Sequence, residues 1–326
     1  MRVLVTGAAG MIGRKLTARL IRDGALKGQP ISHLALADVL APDKPSASGP
    51  DVSAATVDLA APGAAAQIVA ARPDVIFHLA AIVSGEAELD LDKGYRVNFD
   101  GTRALLEAIR AAGNYRPTVV FASSLAVFGA PFPDAIDDDF QLTPLTSYGT
   151  QKAMCELMLA DYTRREIVAG VGIRLPTIVV RPGKPNKAAS GFFSSIIREP
   201  LAGSEAVLPV DESVRHWFAS PRSAVGFLVH AASLPRETLG TRINLTMPGV
   251  CCTVGEEIDA LKRVAGAKFA ARIRREPDPL VARIVSGWPR RFDTRRAKEL
   301  GFACEAGFDE IIRAHIDDEL GGRIPG

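Results

Sequence analysis

RVLVTGAAGMIG, residues 2–13, sets Gly7, Gly10 and Gly13 three apart, where a short apolar run gives way to a helical pattern. Glycine is needed where the backbone turns tightly, where a pyrophosphate must approach the main chain, and where a helix packs hard on the strand before it. The first helical turn, from Met11 and Ile12 to Gly13, then offers unpaired N–H groups to the phosphates. A glycine-rich turn without any ligand could use the same residues. Its place directly after the first apolar run favours a dinucleotide site.

Outward from this stretch, apolar runs alternate with helical patterns through the first half: HLALAD at 33–38, VIFHLAA at 75–81 and TVVFASS at 118–124, with helices expected up to about 112 and over about 147–168. Strands without polar alternation are covered on both faces, so the expected fold is α/β, a doubly wound parallel sheet with a smaller C-terminal substrate lobe. After Arg181 the rhythm breaks in RPGKPNKAASGFF, which sets the expected boundary: 1–181 for the nucleotide-binding domain and 182–326 for the lobe, with about 215–235 returning to the first domain. TVGEEI has the form of a capping box at Thr253 and Glu256, and FDEIIRAHIDDEL reads as a terminal amphipathic helix. Asp38 closes the second strand, where a carboxylate accepts from an adenosine ribose and repels a 2′-phosphate, so NAD is expected rather than NADP. Asp58 and Leu59 in TVDLA and Ala80 in HLAA are assigned to the same cofactor edge, Asp58 toward the adenine. An Asp38 that only caps a loop is the competing reading.

The 39 basic and 37 acidic side chains leave a net charge of +2, which gives no call for nucleic acid. The arginine-rich stretch from Arg272 to Lys298 interleaves with Glu276, Asp278 and Asp293 and reads as a solvated face. Four cysteines without paired C-x-x-C spacing fit a reducing compartment, and neither a targeting segment nor a membrane span is expected, so the expected location is cytoplasmic. No metal site is expected.

SYGTQK, residues 147–152, places Tyr148 four ahead of Lys152, on one helical face. Ser124 ends the strand 118–124, at the carboxyl edge where open α/β sheets bind ligands. The three side chains can converge on one substrate oxygen: tyrosine as proton acceptor, lysine as its electrostatic support, serine as hydrogen-bond donor. Taken singly, each also reads as packing, surface charge or turn formation.

T-G-x-x-G-x-x-G as TGAAGMIG, HLAA at 78–81, SSLAVFG and Y-x-x-x-K as YGTQK together resemble the extended branch of the short-chain dehydrogenase/reductase superfamily. The resemblance implies a Rossmann-like fold, NAD, a triad of Ser124, Tyr148 and Lys152, the latter two also touching the cofactor, and Asn98 as a helper through backbone or water contacts. It also implies a homodimer formed by the helices near 88–112 and 147–168. Phe128 stands where many members carry tyrosine. In the second half, IRLPTIVVRPGKPNKAASGFFSSIIREPLAG and VRHWFASPRSAVGFLVHAA resemble the D-erythronate-oxidising dehydrogenase family, which implies oxidation of a C2 hydroxyl to 2-oxo-tetronate. Such a substrate needs a cation for its carboxylate and polar groups for its hydroxyls. Arg215 is assigned to the carboxylate by the resemblance, and Ser84, Asn186 and Lys187 are assigned as contacts beside Ser124 and Tyr148. His216 shares that candidacy, whereas Trp217 and Phe218 read as core. A nucleotide-sugar epimerase or dehydratase with tightly held NAD, a dehydrogenase of another sugar acid such as a uronate, and a non-catalytic NAD-sensing protein remain as alternatives.

Overall fold

The computed structural model describes residues 1–45, 49–183 and 190–324. Two compact units divide the chain: unit 1 comprises Met1–Val127, Pro144–Leu175 and Val225–Thr246, and unit 2 comprises Phe128–Thr143, Pro176–Ala224 and Met247–Gly326. This division differs from the expected 181/182 boundary. Residues 128–143 leave the first unit early, and the returning segment is 225–246 rather than 215–235.

Unit 1 holds β1 (Arg2–Thr6), α1 (Met11–Asp23), β2 (His33–Asp38), β3 (Asp51–Thr56), α2 (Ala64–Val69), β4 (Val75–His78), α3 (Ser84–Leu89), α4 (Gly101–Ala111), β5 (Thr118–Ser124), α5 (Ser147–Arg164), β6 (Ala169–Leu175) and β7 (Asn244–Thr246). The seven strands form one sheet in the order β7-β6-β5-β4-β1-β2-β3, every pairing parallel. The order reverses beside β1, and there the carboxyl ends of β1 and β4 open the crevice that such sheets use for ligands. β4 is buried along its whole length, VIFH, which accounts for its unbroken apolar pattern. Leu16 and Leu20 of α1 are buried to within 1%; each contributes about 1.5–3 kcal/mol of transfer free energy.

The single helix expected up to about 112 is broken. Asp90 caps a short turn by accepting from Lys93 N at 3.0 Å, and Tyr95–Asp100 winds as a π-helix before α4. The wider turn places Asn98 in the interior at 2% exposure.

Unit 2 contains a three-stranded sheet in which Arg215–Ala219 runs antiparallel to Val250–Thr253 and parallel to Thr177–Ile178. Helices Gly191–Leu201, Val254–Ala265 and Phe308–Glu319 share its core with Phe193, Phe218, Ile258 and Ile312. The capping box is formed: Thr253 Oγ1 accepts from Glu256 N at 3.1 Å, and Glu256 Oε2 accepts from Thr253 N at 2.6 Å. The terminal amphipathic helix is Phe308–Glu319. Trp217 and Phe218 are buried, as is His216, whose ring stacks on Phe193 and bonds Thr177 Oγ1 at 2.6 Å and Pro289 O at 3.0 Å. His216 is thus a satisfied core histidine within unit 2, and burial pulls its pKa down to about 4.

Candidate active site

The glycine loop is held to the sheet by its own backbone, Gly7 N and Ala8 N both donating to Ala37 O at 2.9 and 3.3 Å. Gly7 has φ +75°, and a Cβ there would lie 2.7 Å from Ala80 N; a Cβ on Gly13 would lie 2.2 Å from Gly7 O. Both contacts are too short for any side chain, so loop, helix and the end of β4 close up only with glycine. Gly10 caps α1 without a side-chain bond, and the first turn holds no acidic residue. The N–H groups of Met11, Ile12 and Gly13 are therefore left for an anion, which is the chemistry a dinucleotide pyrophosphate requires.

Asp38, at the end of β2, accepts from Ala9 N at 2.9 Å on one oxygen and from Leu40 N at 3.1 Å on the other. It braces the glycine loop and its own turn, and each oxygen retains a lone pair for a ribose hydroxyl. Asp58 lies two residues past β3, where its carboxylate accepts from Arg96 Nη1 at 2.6 Å and from Ala60 N at 3.0 Å. The Arg96 guanidinium holds that carboxyl below its ordinary range, against a smaller opposing effect of burial. Leu59 is buried beside it.

Thr146 caps α5, its Oγ1 accepting from Gly149 N at 3.1 Å, and Glu88 of α3 accepts from Ser147 N at 3.0 Å. A Cβ on Gly149 would stand 2.1 Å from Ala126 O, so α5 begins in direct backbone contact with the turn that follows Ser124. This approach brings Tyr148 to the end of β5. Lys152, 3% exposed, donates to Ala122 O at 2.8 Å, and its Nζ lies 4.7 Å from the Phe121 ring centroid and 5.7 Å from that of Tyr148. Burial lowers its pKa to about 8, with Cys155 and Glu156 acting in the opposite sense. Ser124 Oγ accepts from Ala126 N at 3.1 Å, which leaves its hydrogen to donate.

Asn98 is satisfied inward: its Oδ1 accepts from Ile82 N at 2.8 Å, and its Nδ2 donates to Gln151 Oε1 at 2.7 Å. Ser84 opens α3 at partial exposure, two residues after Ile82. In unit 2, Arg215 opens its strand and pairs with Glu256 at 3.4 Å, its side chain 42% exposed. Asn186 and Lys187 lie outside the described residues.

Two clusters were not read from the sequence. His78 bonds Thr6 Oγ1 through Nδ1 and Thr102 Oγ1 through Nε2, both at 2.8 Å. Thr102 Oγ1 spends its own hydrogen on Asn98 O at 2.7 Å, so His78 must donate from Nε2 and accept at Nδ1. Burial, seconded by the Lys152 charge, brings its pKa down to about 3 and keeps the ring neutral. The second cluster, Glu156 with Arg174 and Ser123, had one signal available: Glu156 follows Lys152 by one further helical turn on the same face.

Residues 3–244 match the NAD dependent epimerase/dehydratase family. This chain belongs to that family. Its cofactor is accordingly NAD, and the glycine loop described above fits it; the chain is an NAD-dependent oxidoreductase. Among proteins of this family, the chain is 47% identical over 322 residues to the D-erythronate dehydrogenase of Cupriavidus necator, with 98% of each covered. It is 42% identical over 320 residues to the D-erythronate dehydrogenase of Haemophilus influenzae, spanning 98% of this chain and all of the relative. A solved structure described as the nucleoside-diphosphate-sugar epimerase from Agrobacterium tumefaciens superposes with a TM-score of 0.98 at 61% identity, covering 100% of this chain and 96% of that one. No helix among the described residues is long and apolar enough to cross a membrane, and no group of three or more metal-ligating side chains occurs among them.

Proposed function

We propose that this chain oxidises the C2 hydroxyl of D-erythronate to 2-oxo-tetronate with NAD. The substrate rests on the two nearly full-length relatives that carry that activity in their names. The chemistry rests on one observation: a buried ammonium, Lys152, 5.7 Å from the ring of Tyr148 at the edge of the sheet that carries the glycine loop. NAD, when bound, is the acceptor of the C2 hydride. Tyr148 Oη takes the hydroxyl proton as the carbonyl forms, and Lys152 stabilises the anionic phenolate that this role needs. Ser124 donates to the same oxygen and holds it in line. Ser84 is the proposed contact for the hydroxyls of the acid, and Asp38 the proposed ribose acceptor.

Purified protein with NAD and a panel of D-erythronate, L-threonate, D-glucuronate and UDP-sugars, followed at 340 nm, tests this reading. NADH should appear stoichiometrically and chiefly with D-erythronate. A second reading comes from the solved relative described as a nucleoside-diphosphate-sugar epimerase. Conversion of a UDP-sugar without net NADH would establish it and remove the sugar-acid assignment.

We also propose that the chain forms a homodimer through the helical stretches near 88–112 and 147–168, with exposed Leu89 and Leu157 contributing apolar surface at 82% and 66% exposure. Light scattering should give twice the 34.6 kDa chain mass; a monomer at micromolar concentration would sink the idea.

A further inference from the structure

Ala122, Ser123 and Ser124 end β5, and the first two each meet one residue of α5: Lys152 Nζ donates to Ala122 O, and Ser123 Oγ donates to Glu156 Oε1. Glu156 is fully buried and Arg174 only 5% exposed. Arg174, on β6, grips the carboxylate with Nε at 3.1 Å from both oxygens and Nη2 at 2.8 Å from Oε2. The same arginine reaches Thr246 Oγ1 of β7 at 3.5 Å, and Asn244 Nδ2 donates to the Glu156 backbone carbonyl at 3.4 Å. The Glu156 carboxylate thus ties α5 to β5 and β6, and its backbone carbonyl ties the helix to β7. Tyr148, Lys152 and Glu156 follow one another by single helical turns, so any slip at Glu156 is transmitted along a stiff element to the other two.

We propose that Glu156 is the positioning residue of this site: clamped by Arg174 and Ser123, it fixes the register of α5 on the end of β5 and with it the placement of Lys152 and Tyr148 against Ser124. A buried ion pair is weak evidence for stability, because apolar side chains of similar volume often replace it at no loss. Its worth here is geometric. The groups that face Lys152 are the Tyr148 and Phe121 rings, the Ala122 carbonyl, the Cys155 thiol, the neutral His78 and the Glu156 carboxylate. Among these, Glu156 is the one carboxylate, so it also supports the lysine charge against the burial that opposes it.

The inference rests on the reading of Tyr148 and Lys152 as the reacting pair, so Tyr148→Phe is assayed in parallel. The tests are Ser123→Ala, which removes one bond and strands no charge, and the double variant Glu156→Leu/Arg174→Met, which replaces the pair by apolar groups. Both are compared with the parent at a temperature well below their melting points. Expected is a kcat lowered roughly 10- to 100-fold in the double variant and less in Ser123→Ala, with NAD affinity, which the glycine loop mainly carries, changed far less, as for small misplacement of reacting groups. The rising limb of the pH–rate profile should move upward in the double variant, because a displaced Lys152 supports the Tyr148 phenolate less. Variants that melt earlier but keep the parent kcat and pH profile overturn the proposal and leave Glu156 a purely structural pair. If Tyr148→Phe itself retains turnover, the functional reading fails instead, and the two failures are told apart.

Discussion

Lys152 carries its charge where solvent does not reach, held by one carbonyl and two aromatic rings. Burial depresses its pKa to about 8, so the ammonium is present at neutral pH and is lost as pH rises past that value. If Tyr148 acts as the base, turnover should climb from neutral pH as phenolate accumulates and level off near pH 8, where its cation disappears. Replacing Lys152 with Met removes the cation at every pH. Its kcat/KM limb should then lie ~1–3 units higher, the range for loss of a close opposite charge, with turnover at pH 7 reduced by at least tenfold. An unshifted limb would assign the lysine to packing alone.

At the scale of the element, the start of α5 is held by three devices in addition to the Glu156 clamp further along it: the Thr146 cap, Glu88 accepting from Ser147 N, and the absence of a side chain at Gly149. The last is the most stringent, because a methyl group there would meet Ala126 O at 2.1 Å, and backbone must move to admit it. Gly149→Ala should therefore cost about 1–3 kcal/mol of stability, the range for overpacking a tight interior. It should also lower kcat more than it raises the KM for NAD, since the glycine loop belongs to another part of the sheet. Denaturant unfolding and steady-state kinetics read the two effects. A destabilised protein with parent kcat would show that the start of α5 can shift without cost to the reaction.

Across the whole molecule, two of the buried histidines bear on acid stability. His78 in unit 1 and His216 in unit 2 are held neutral down to about 3 and about 4, while an unfolded chain protonates them near 6.5. In that window the unfolded state binds more protons, so stability falls as pH drops from about 6.5 toward 4. Thermal melts across that range should show Tm declining steadily below pH 6.5, and His78→Gln should flatten the decline while lowering Tm at pH 7. Parallel slopes for parent and variant would place the acid sensitivity elsewhere.

The sequence by itself determined the alternating α/β order, the glycine loop after β1, the capping box at Thr253 and the i, i+4 pairing of Tyr148 with Lys152, because each is written in local spacing or in a backbone position that only glycine can take. It did not disclose the π-turn that buries Asn98, the pairing of Asp58 with Arg96, the neutral His78 between Thr6 and Thr102, or the Glu156–Arg174 clamp. Their partners stand 16 to 72 residues apart along the chain, counted from Asn98–Ile82 to Thr6–His78, and meet only when parallel strands are laid side by side. Nor did spacing place the boundary between the units, since 128–143 and 225–246 take their membership from what they pack on rather than from their composition. Local pattern specifies the elements; the register of α5 on β5, which decides whether a tyrosine, a lysine and a serine can share one oxygen, exists only once the sheet has formed.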